Sequence, residues 1–307
     1  MKVSCSLLII MLVIITSCAT INIKKSEEQL IRVPYTSSLD NTAREYFLYL
    51  PKGYKESTKN WPVLLFLHGN GERGNGKSEL DYVQIHGPLY EAWVQKRDLP
   101  FIMIVPQLHL FDMDKLGIDY ITNRTTASIP KRLEVGVPKR PEPLFTTKKM
   151  HSVVNDSIPE ITINYINKYG WNNVQEDLMN MIDTTLKEYK TDEKRLYLSG
   201  LSFGGFGTWH TASKHPNKFA AINPVVGYGF PELMQPIAEA NLPIWNIAGG
   251  KDAAVPSEYF YIGINKLKEF GHHKVRLTVH EDTDHVETWR RIYGGQDIYD
   301  WLLSHSK

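Results

Sequence analysis

The sequence predicts an α/β fold in which a mostly parallel central sheet carries helices on both faces. From Arg44 onward, short β-branched and aromatic runs alternate with longer stretches of helical period, which is typical of strands joined by crossover helices. Several of the runs are almost wholly apolar, as expected for strands buried on both faces. With 307 residues, 42% of them hydrophobic, the chain is long enough for one large domain.

The N-terminal segment predicts export and a lipid anchor. Lys2 precedes the apolar run Leu7–Ile15, whose length suits the hydrophobic region of a signal peptide rather than a membrane span. The residues that end at Cys18 resemble the lipobox of bacterial lipoproteins, in which the cysteine is lipidated and becomes the first mature residue. We therefore expect a protein anchored to the membranes of the bacterial cell envelope through a lipid on Cys18. An ordinary cleaved signal peptide is the alternative.

The rest of the chain divides into a tether and one domain. Residues 1–17 are the predicted signal peptide, residues 18–35 form a polar tether, and residues 36–307 form the domain that carries the chemistry. Seven strands are expected within it: Tyr46–Leu50, Val63–Leu67, Phe101–Val105, Arg195–Ser199, Ala220–Val226, Ile244–Ile247 and Lys274–Val279. Three later helices are expected at 174–189, with Asn172 or Asn173 as the cap, at 256–270, and at about 287–304 with an interruption near Gly294 and Gly295.

One segment interrupts the alternation of strands and helices. About 60 residues, 108–169, separate a strand from the next clear helix, and they contain Pro130, Pro138, Pro141 and Pro143. Long loops in compact domains are usually functional or disordered, so we expect a lid-like insertion.

The charge balance argues against nucleic acid as a partner. The 35 Lys and Arg residues nearly cancel the 34 Asp and Glu residues, so no overall field attracts a polyanion.

A Gly-x-Ser-x-Gly pattern marks the candidate nucleophile. Gly200, Ser202 and Gly204 follow an apolar strand and precede a helical stretch, the context in which this pattern forms a sharp turn that exposes the serine hydroxyl. A serine hydroxyl is a weak nucleophile at neutral pH, so it needs a histidine base and usually a carboxylate to orient that histidine.

Two later residues are the best candidates for acid and base. Asp252 ends a glycine turn after a strand, although it could instead cap the next helix. Asp282 and Asp284 lie too close in sequence to the candidate histidine to approach its ring from a separate strand end. His285 follows the last strand and precedes the final helix, which favours it over His280 on the strand itself.

Backbone N–H groups should stabilise the charge that develops on a substrate carbonyl. One donor is expected from Phe203, directly after the nucleophile, and a second from Asn70 or Gly71 in the glycine-rich loop after an early strand. A phosphate-binding loop is the rival interpretation, but the Gly-Lys-Ser/Thr ending is missing. This chemistry needs no metal or organic cofactor.

The residues resemble the secreted serine esterases of carbohydrate esterase family one, which include feruloyl and acetylxylan esterases, and related bacterial proteins described as predicted peptidases. The resemblance covers most of residues 40–305. It rests on Tyr49–Tyr54, the loop 68–74, Val105–Gln107, the turn at Ser202, Phe219–Ala221 with Pro224 and Gly227, the Asp252 turn, and His285 followed by Trp289. It implies an α/β-hydrolase fold, the triad Ser202, Asp252 and His285, and oxyanion donors near Asn70 and at Phe203.

Two departures from that family limit the comparison. The 108–169 insertion is longer than is usual, and His285 is followed by Val286 and Glu287 rather than Asp-Ser. We expect a serine ester hydrolase that removes feruloyl or acetyl groups from a polysaccharide or oligosaccharide through an acyl-Ser202 intermediate. A peptidase of the prolyl-oligopeptidase kind and a non-catalytic surface-binding lipoprotein are the alternatives.

Overall fold

The computed structural model describes residues 25–137 and 157–307. Within them, one sheet is built from the strands β1 Gln29–Thr36, β2 Ala43–Leu50, β3 Trp61–Leu67, β4 Ile102–Val105, β5 Thr191–Leu201, β6 Ala221–Val225, β7 Ile244–Gly249 and β8 Val275–His280. Their order across the sheet is β1-β2-β4-β3-β5-β6-β7-β8. All seven predicted strands are confirmed in place.

The sheet is antiparallel at one edge and parallel elsewhere. Strand β2 runs antiparallel to both β1 and β4, whereas the strands from β4 to β8 pair in parallel. Parallel neighbours end at the same edge of a sheet, so loops that follow β3, β5, β7 and β8 meet there.

The first strand corrects the predicted tether. Residues 29–36 pair with β2 along their whole length, from Gln29 opposite Leu50 to Thr36 opposite Ala43. The segment was not recognisable as a strand because it lies at the edge of the sheet, where none of its residues is fully buried and Pro34 is tolerated. The domain therefore begins by Gln29 rather than at residue 36, while Cys18 lies outside the described residues.

The helices in the described residues are α1 Gly87–Leu89, α2 Asp119–Thr122, α3 Glu160–Tyr169, α4 Gln175–Glu188, α5 Phe203–Lys214, α6 Met234–Glu239, α7 Phe260–Glu269, α8 His285–Gly294 and α9 Asp297–Leu303. A π-helical turn, Tyr90–Val94, continues α1. Short 3-10 helices occur at Leu80–Gln84, Met113–Leu116, Thr126–Ser128, Trp171–Val174, Pro231–Leu233 and Ser257–Tyr259.

The three predicted helices are present with shifted ends. The predicted cap of α4 is wrong, because a 3-10 turn precedes this helix and directs the side-chain amides of Asn172 and Asn173 back to carbonyl groups at the end of α3. The interruption predicted near Gly294 and Gly295 is confirmed, because the last segment forms two helices, α8 and α9, divided at Gly295.

Both faces of the sheet are covered, as predicted. On one face, Val63, Leu65 and Leu67 of β3 share a buried cluster with side chains of α4, α5 and α6. On the other face, Leu64 and Phe66 pack with side chains of α1, α8 and α9. Because alternate residues of β3 enter different clusters, the nearly continuous apolar run of this strand is explained.

The 108–169 insertion contains more regular structure than its prolines suggested. Helix α2 and two 3-10 turns lie in its first part, and α3 forms its end. Residues 138–156 of the insertion lie outside the described part of the chain. None of the helices within residues 25–137 and 157–307 is long and apolar enough to cross a membrane.

Candidate active site

A sharp turn between β5 and α5 presents Ser202. This residue has φ 54° and ψ −117°, a conformation that residues with a Cβ rarely adopt. The flanking glycines are required by close packing, because a Cβ on Gly200 would lie 2.2 Å from the carbonyl oxygen of Gly204. A Cβ on Gly204 would lie 1.8 Å from the carbonyl oxygen of Leu67. The Gly-x-Ser-x-Gly pattern therefore reflects the space available at this turn.

Ser202, His285 and Asp252 form one chain of hydrogen bonds. Nε2 of His285 lies 2.9 Å from Oγ of Ser202, and Nδ1 of His285 lies 2.5 Å from Oδ2 of Asp252. The histidine side chain is 17% exposed and the aspartate side chain is fully buried. The loops after β5, β7 and β8 thus bring together three residues that are far apart in sequence.

Asp252 is fixed by its own turn as well as by the histidine. Its Oδ1 accepts hydrogen bonds from the backbone N–H groups of Ala254 and Val255, at 2.9 and 2.8 Å. It is not the cap of the following helix, because α7 begins at Phe260. These bonds leave Oδ2 directed at His285, so the carboxylate can hold the imidazole ring in one orientation.

Local helix chemistry positions His285. The side chain of Asp284 accepts a hydrogen bond from the N–H of Glu287, and the side chain of Glu287 accepts one from the N–H of Asp284. This capping box makes His285 the first residue of α8. The departure at Glu287 from the family pattern therefore has a structural role, and Trp289 one turn later packs edge-on against the histidine ring, with centroids 4.9 Å apart.

The competing acid and base candidates lie elsewhere. The exposed carboxylate of Asp282 forms an ion pair with Arg291, while Asp284 serves as the cap of α8. His280 lies on β8 opposite Gly249 and does not line the cavity above Ser202. Burial lowers the pKa of His280 to about 4.

The glycine-rich loop after β3, residues 68–74, lies against the nucleophile and is named here the oxyanion loop. The position of a Cβ on Gly69 would be 3.6 Å from Cβ of Ser202. Asn70 and Gly71 follow and line the same cavity as Ser202. Phe203 begins α5, and the first N–H groups of a helix have no partner within it. The three predicted donor residues and Ser202 therefore line one cavity, and their role as donors stays a prediction.

His68 fixes the direction of one peptide group in this loop. Its Nε2 accepts a hydrogen bond from the N–H of Leu108, so Nδ1 carries the proton and donates to the carbonyl oxygen of Gly69, 2.6 Å away. Burial lowers the pKa of His68 to about 3, which keeps the ring neutral. The peptide between Gly69 and Asn70 is planar and trans, so its N–H points away from the His68 ring.

Two arginines that were not predicted hold the same loop. Arg73 is buried, donates to Oδ1 of Asn70, and binds the carbonyl oxygens of His109 and Tyr169 at the two ends of the insertion. Arg124, inside the insertion, donates to the carbonyl oxygens of Gly71 and Arg73, at 2.9 and 2.5 Å. These contacts depend on how the insertion folds back on the loop, which no local sequence pattern reveals.

A cavity of about 650 Å³ opens above Ser202 and His285. Most of its wall is apolar or aromatic, including Tyr82, His86, Tyr120, Tyr165, Phe203, Phe206, Tyr228 and Trp289. The insertion supplies Tyr120, Arg124 and Tyr165 among these lining residues. The site can accommodate a sizeable apolar group next to the serine hydroxyl.

Solved structures with similar folds cover nearly the whole chain. A thermostable esterase matches with a TM-score of 0.58 at 23% identity, over 91% of this chain and 63% of that one. A feruloyl esterase module from Clostridium thermocellum, complexed with sinapinate, matches with a TM-score of 0.53 at 16% identity, over 90% and 87%. The chain has the α/β-hydrolase fold. A family-one ferulic acid esterase from Anaeromyces mucronatus, in complex with ferulic acid, shares this α/β-hydrolase fold with a TM-score of 0.51 at 16% identity, over 92% of both chains.

Sequence comparisons match shorter parts of the chain. The prolyl oligopeptidase family matches residues 165–233, which include Ser202 but neither Asp252 nor His285. A bifunctional acetylxylan esterase/xylanase from Neocallimastix patriciarum is 40% identical over 75 residues, 24% of this chain. The matched stretch spans only 10% of that relative's length.

Metal ligands do not cluster in the described part of this hydrolase fold. No group of three or more His, Cys, Asp or Glu side chains in residues 25–137 and 157–307 could hold a metal ion.

Proposed function

We propose that the protein is a serine carboxylic-ester hydrolase that removes feruloyl or acetyl groups from a polysaccharide or oligosaccharide. The hydrogen-bonded chain from Ser202 through His285 to Asp252, at the base of an apolar cavity, is the observation that carries the proposal. An esterase with this arrangement needs neither a metal nor an organic cofactor.

The reaction follows from the geometry. His285 accepts the proton of Ser202 as its oxygen attacks the ester carbonyl, and Asp252 stabilises the imidazolium that forms. The N–H groups of Phe203 and of Asn70 or Gly71 stabilise the oxyanion. His285 then gives its proton to the departing sugar hydroxyl, which leaves an acyl group on Ser202. Water activated by His285 releases the acid and restores the serine.

The cavity favours an aromatic acyl group over a small one. Tyr165 packs edge-on against Phe203, with ring centroids 5.7 Å apart, and both side chains line the space beside Ser202. Aromatic rings bind one another in such offset or edge-on arrangements. The esterases with similar folds were complexed with sinapinate and ferulic acid, which is consistent with this preference.

The test is hydrolysis of a panel of feruloylated and acetylated oligosaccharides, measured beside peptide substrates. We expect release of ferulate or acetate by the wild-type protein and none by Ser202→Ala. A fluorophosphonate probe should label the wild type and leave Ser202→Ala unlabelled. If the purified wild-type protein hydrolyses no ester and resists the probe, the proposal is wrong.

A peptidase of the prolyl-oligopeptidase kind is the second candidate, because the family match over residues 165–233 favours it. The same three side chains would serve amide hydrolysis, so the peptide arm of the panel distinguishes the two. Faster turnover of a peptide than of any ester would show that the protein is a peptidase rather than an ester hydrolase. A non-catalytic binding protein is disfavoured because all three polar groups lie within hydrogen-bonding distance.

We also propose that the protein is exported and anchored to the bacterial cell envelope through a lipid on Cys18. The signal-peptide pattern and the lipobox at Ile15–Cys18 support this, although they lie outside the described residues. Metabolic labelling with a radioactive fatty acid should mark the wild type and not Cys18→Ala. Equal labelling of both proteins would contradict the anchor.

A further inference from the structure

One acidic side chain in the cavity wall takes no part in the chain of Ser202, His285 and Asp252. Glu72 lies in the oxyanion loop and its side chain is 6% exposed. Its Oε1 atom is buried and makes no hydrogen bond within the described part of the protein. A charged carboxylate at this place leaves one buried oxygen without the partners that normally offset the loss of water.

Three basic side chains face Glu72, and none neutralises it. Nδ1 of His68 lies 3.9 Å from Oε2 of Glu72, but His68 is neutral and Nδ1 donates to the carbonyl of Gly69. The guanidinium groups of Arg73 and Arg124 donate to backbone carbonyl groups. They and the nearby backbone amides favour the charged carboxylate, but burial outweighs them and raises the pKa of Glu72 to about 7.

The carboxyl group approaches Ser202 across Gly69. The position that a Cβ on Gly69 would occupy lies 3.3 Å from Oε2 of Glu72 and 3.6 Å from Cβ of Ser202. A negative charge here would lie beside the N–H groups that are proposed to stabilise the oxyanion. Two like charges at short range oppose each other, so the charged carboxylate raises the energy of the transition state.

We infer that Glu72 is uncharged when the site is reactive, and that its ionisation slows the attack by Ser202. The uncharged carboxyl does not oppose the oxyanion. Loss of its proton to solvent places a negative charge beside the site. The inference rests on the proposed serine-hydrolase function, and it predicts a fall in reactivity on the alkaline side.

The experiment measures the rate of fluorophosphonate labelling from pH 5 to pH 9, which does not require the natural substrate. We expect the wild-type rate to fall on the order of tenfold on the alkaline side, as Glu72 ionises. Glu72→Gln, which is uncharged at every pH, should show no such fall. The exposed Glu188→Gln, at the end of α4, should retain the wild-type profile.

Melting temperatures test the uncharged carboxyl independently of the chemistry. The folded protein keeps a proton on Glu72 that the unfolded chain loses above its ordinary pKa of 4.5, so wild-type stability falls as pH rises from about 4.5 to about 7 and then levels off. The melting temperature of Glu72→Gln relative to the wild type should therefore increase from pH 4 to pH 8. Should the Gln variant fail to fold, Glu72→Met provides a non-titrating replacement of similar size.

The possible outcomes separate this inference from the proposed function. Labelling of the wild type and Glu72→Gln with the same alkaline fall would overturn the role of Glu72 and leave the hydrolase proposal intact. A melting difference that does not vary with pH would also overturn it. No labelling of the wild type at any pH would overturn the hydrolase proposal together with this inference.

Discussion

The proposed chemistry and the surroundings of the substrate come from two regions that are built differently. Ser202, Asp252 and His285 each follow the end of a parallel strand, and short turns with many backbone hydrogen bonds hold them. The insertion, 108–169, reaches the cavity through short helices and single side chains. The strand ends therefore determine which reaction is possible, while the insertion is placed to influence which substrate fits.

Arg124 is the exception to this division. It belongs to the insertion, yet its guanidinium group binds two carbonyl groups of the oxyanion loop. A change in the insertion can therefore alter the chemistry as well as the substrate. Four predictions, in order of decreasing effect, test whether the strand ends govern the reaction and the insertion governs the substrate.

Replacement of the nucleophile should have the largest effect. Ser202→Ala removes the attacking oxygen, and kcat should fall by about a millionfold for every ester, because the triad acts as a unit. Steady-state kinetics on an acetyl and a feruloyl ester measure the change. Ser213→Ala, on the same helix α5, serves as the matched control and should retain full activity. Comparable turnover by both variants would contradict the assignment.

Loss of the orienting charge should be the next largest effect. Asp252→Asn keeps an oxygen for the N–H groups of Ala254 and Val255 but presents the wrong partner to His285, so kcat should fall by about 10⁴-fold. The melting temperature should change little, which separates the catalytic effect from unfolding. Asp282→Asn, at an exposed ion pair, is the control. An Asp252→Asn enzyme with near wild-type kcat would show that His285 needs no carboxylate.

Arg124→Gln should have an intermediate effect. Without the guanidinium group, the oxyanion loop loses contacts to the carbonyl groups of Gly71 and Arg73, so kcat should fall by about 10- to 100-fold with little change in KM. Arg132→Gln in the same insertion is the control, because Arg132 pairs with Glu28 away from the loop. A change in KM without a fall in kcat would mean that the insertion affects which substrate fits but not the chemistry.

Tyr165→Ala should have the smallest effect and the most selective one. The ring lines the cavity and packs edge-on against Phe203, so its loss should raise KM for a feruloyl ester by about 2- to 10-fold. KM for an acetyl ester should stay unchanged, because a methyl group does not reach an aromatic wall. Tyr261→Ala on α7, outside the cavity wall, is the control. Equal effects on both esters would mean that Tyr165 does not bind the acyl group.

The sequence predicted the buried strands and the turn at Ser202 better than the edge strand and the contacts around the site, for physical reasons. Buried strands leave apolar runs, and a nucleophile turn leaves a glycine pattern, so Ser202 and the strands near it could be located from local signals. Strand β1 leaves no such run because an edge strand is only partly buried. The roles of Arg73 and Arg124 were not predictable, since their carbonyl partners depend on how distant segments pack.

Glu72 illustrates the same limit within a loop that the sequence did identify. Glycine residues in the oxyanion loop predicted its place beside Ser202. Whether the carboxyl group of Glu72 faces water or the interior depends on the packing of His68 and Gly69, which the sequence does not reveal. Local patterns therefore located the site, but not the electrostatic state of its wall.

Strand β1 has a consequence for how the protein would sit on a membrane. Ser26 is already bound to Glu56, so a lipid on Cys18 would hold the domain by about eight residues, or roughly 30 Å of extended chain. Gln29 pairs with Leu50, at the edge of the sheet opposite the strand ends that carry Ser202. In an anchored molecule, the end of the sheet at Gln29 would thus lie towards the bilayer. The cavity above Ser202 would open away from it, towards polymers in the surroundings.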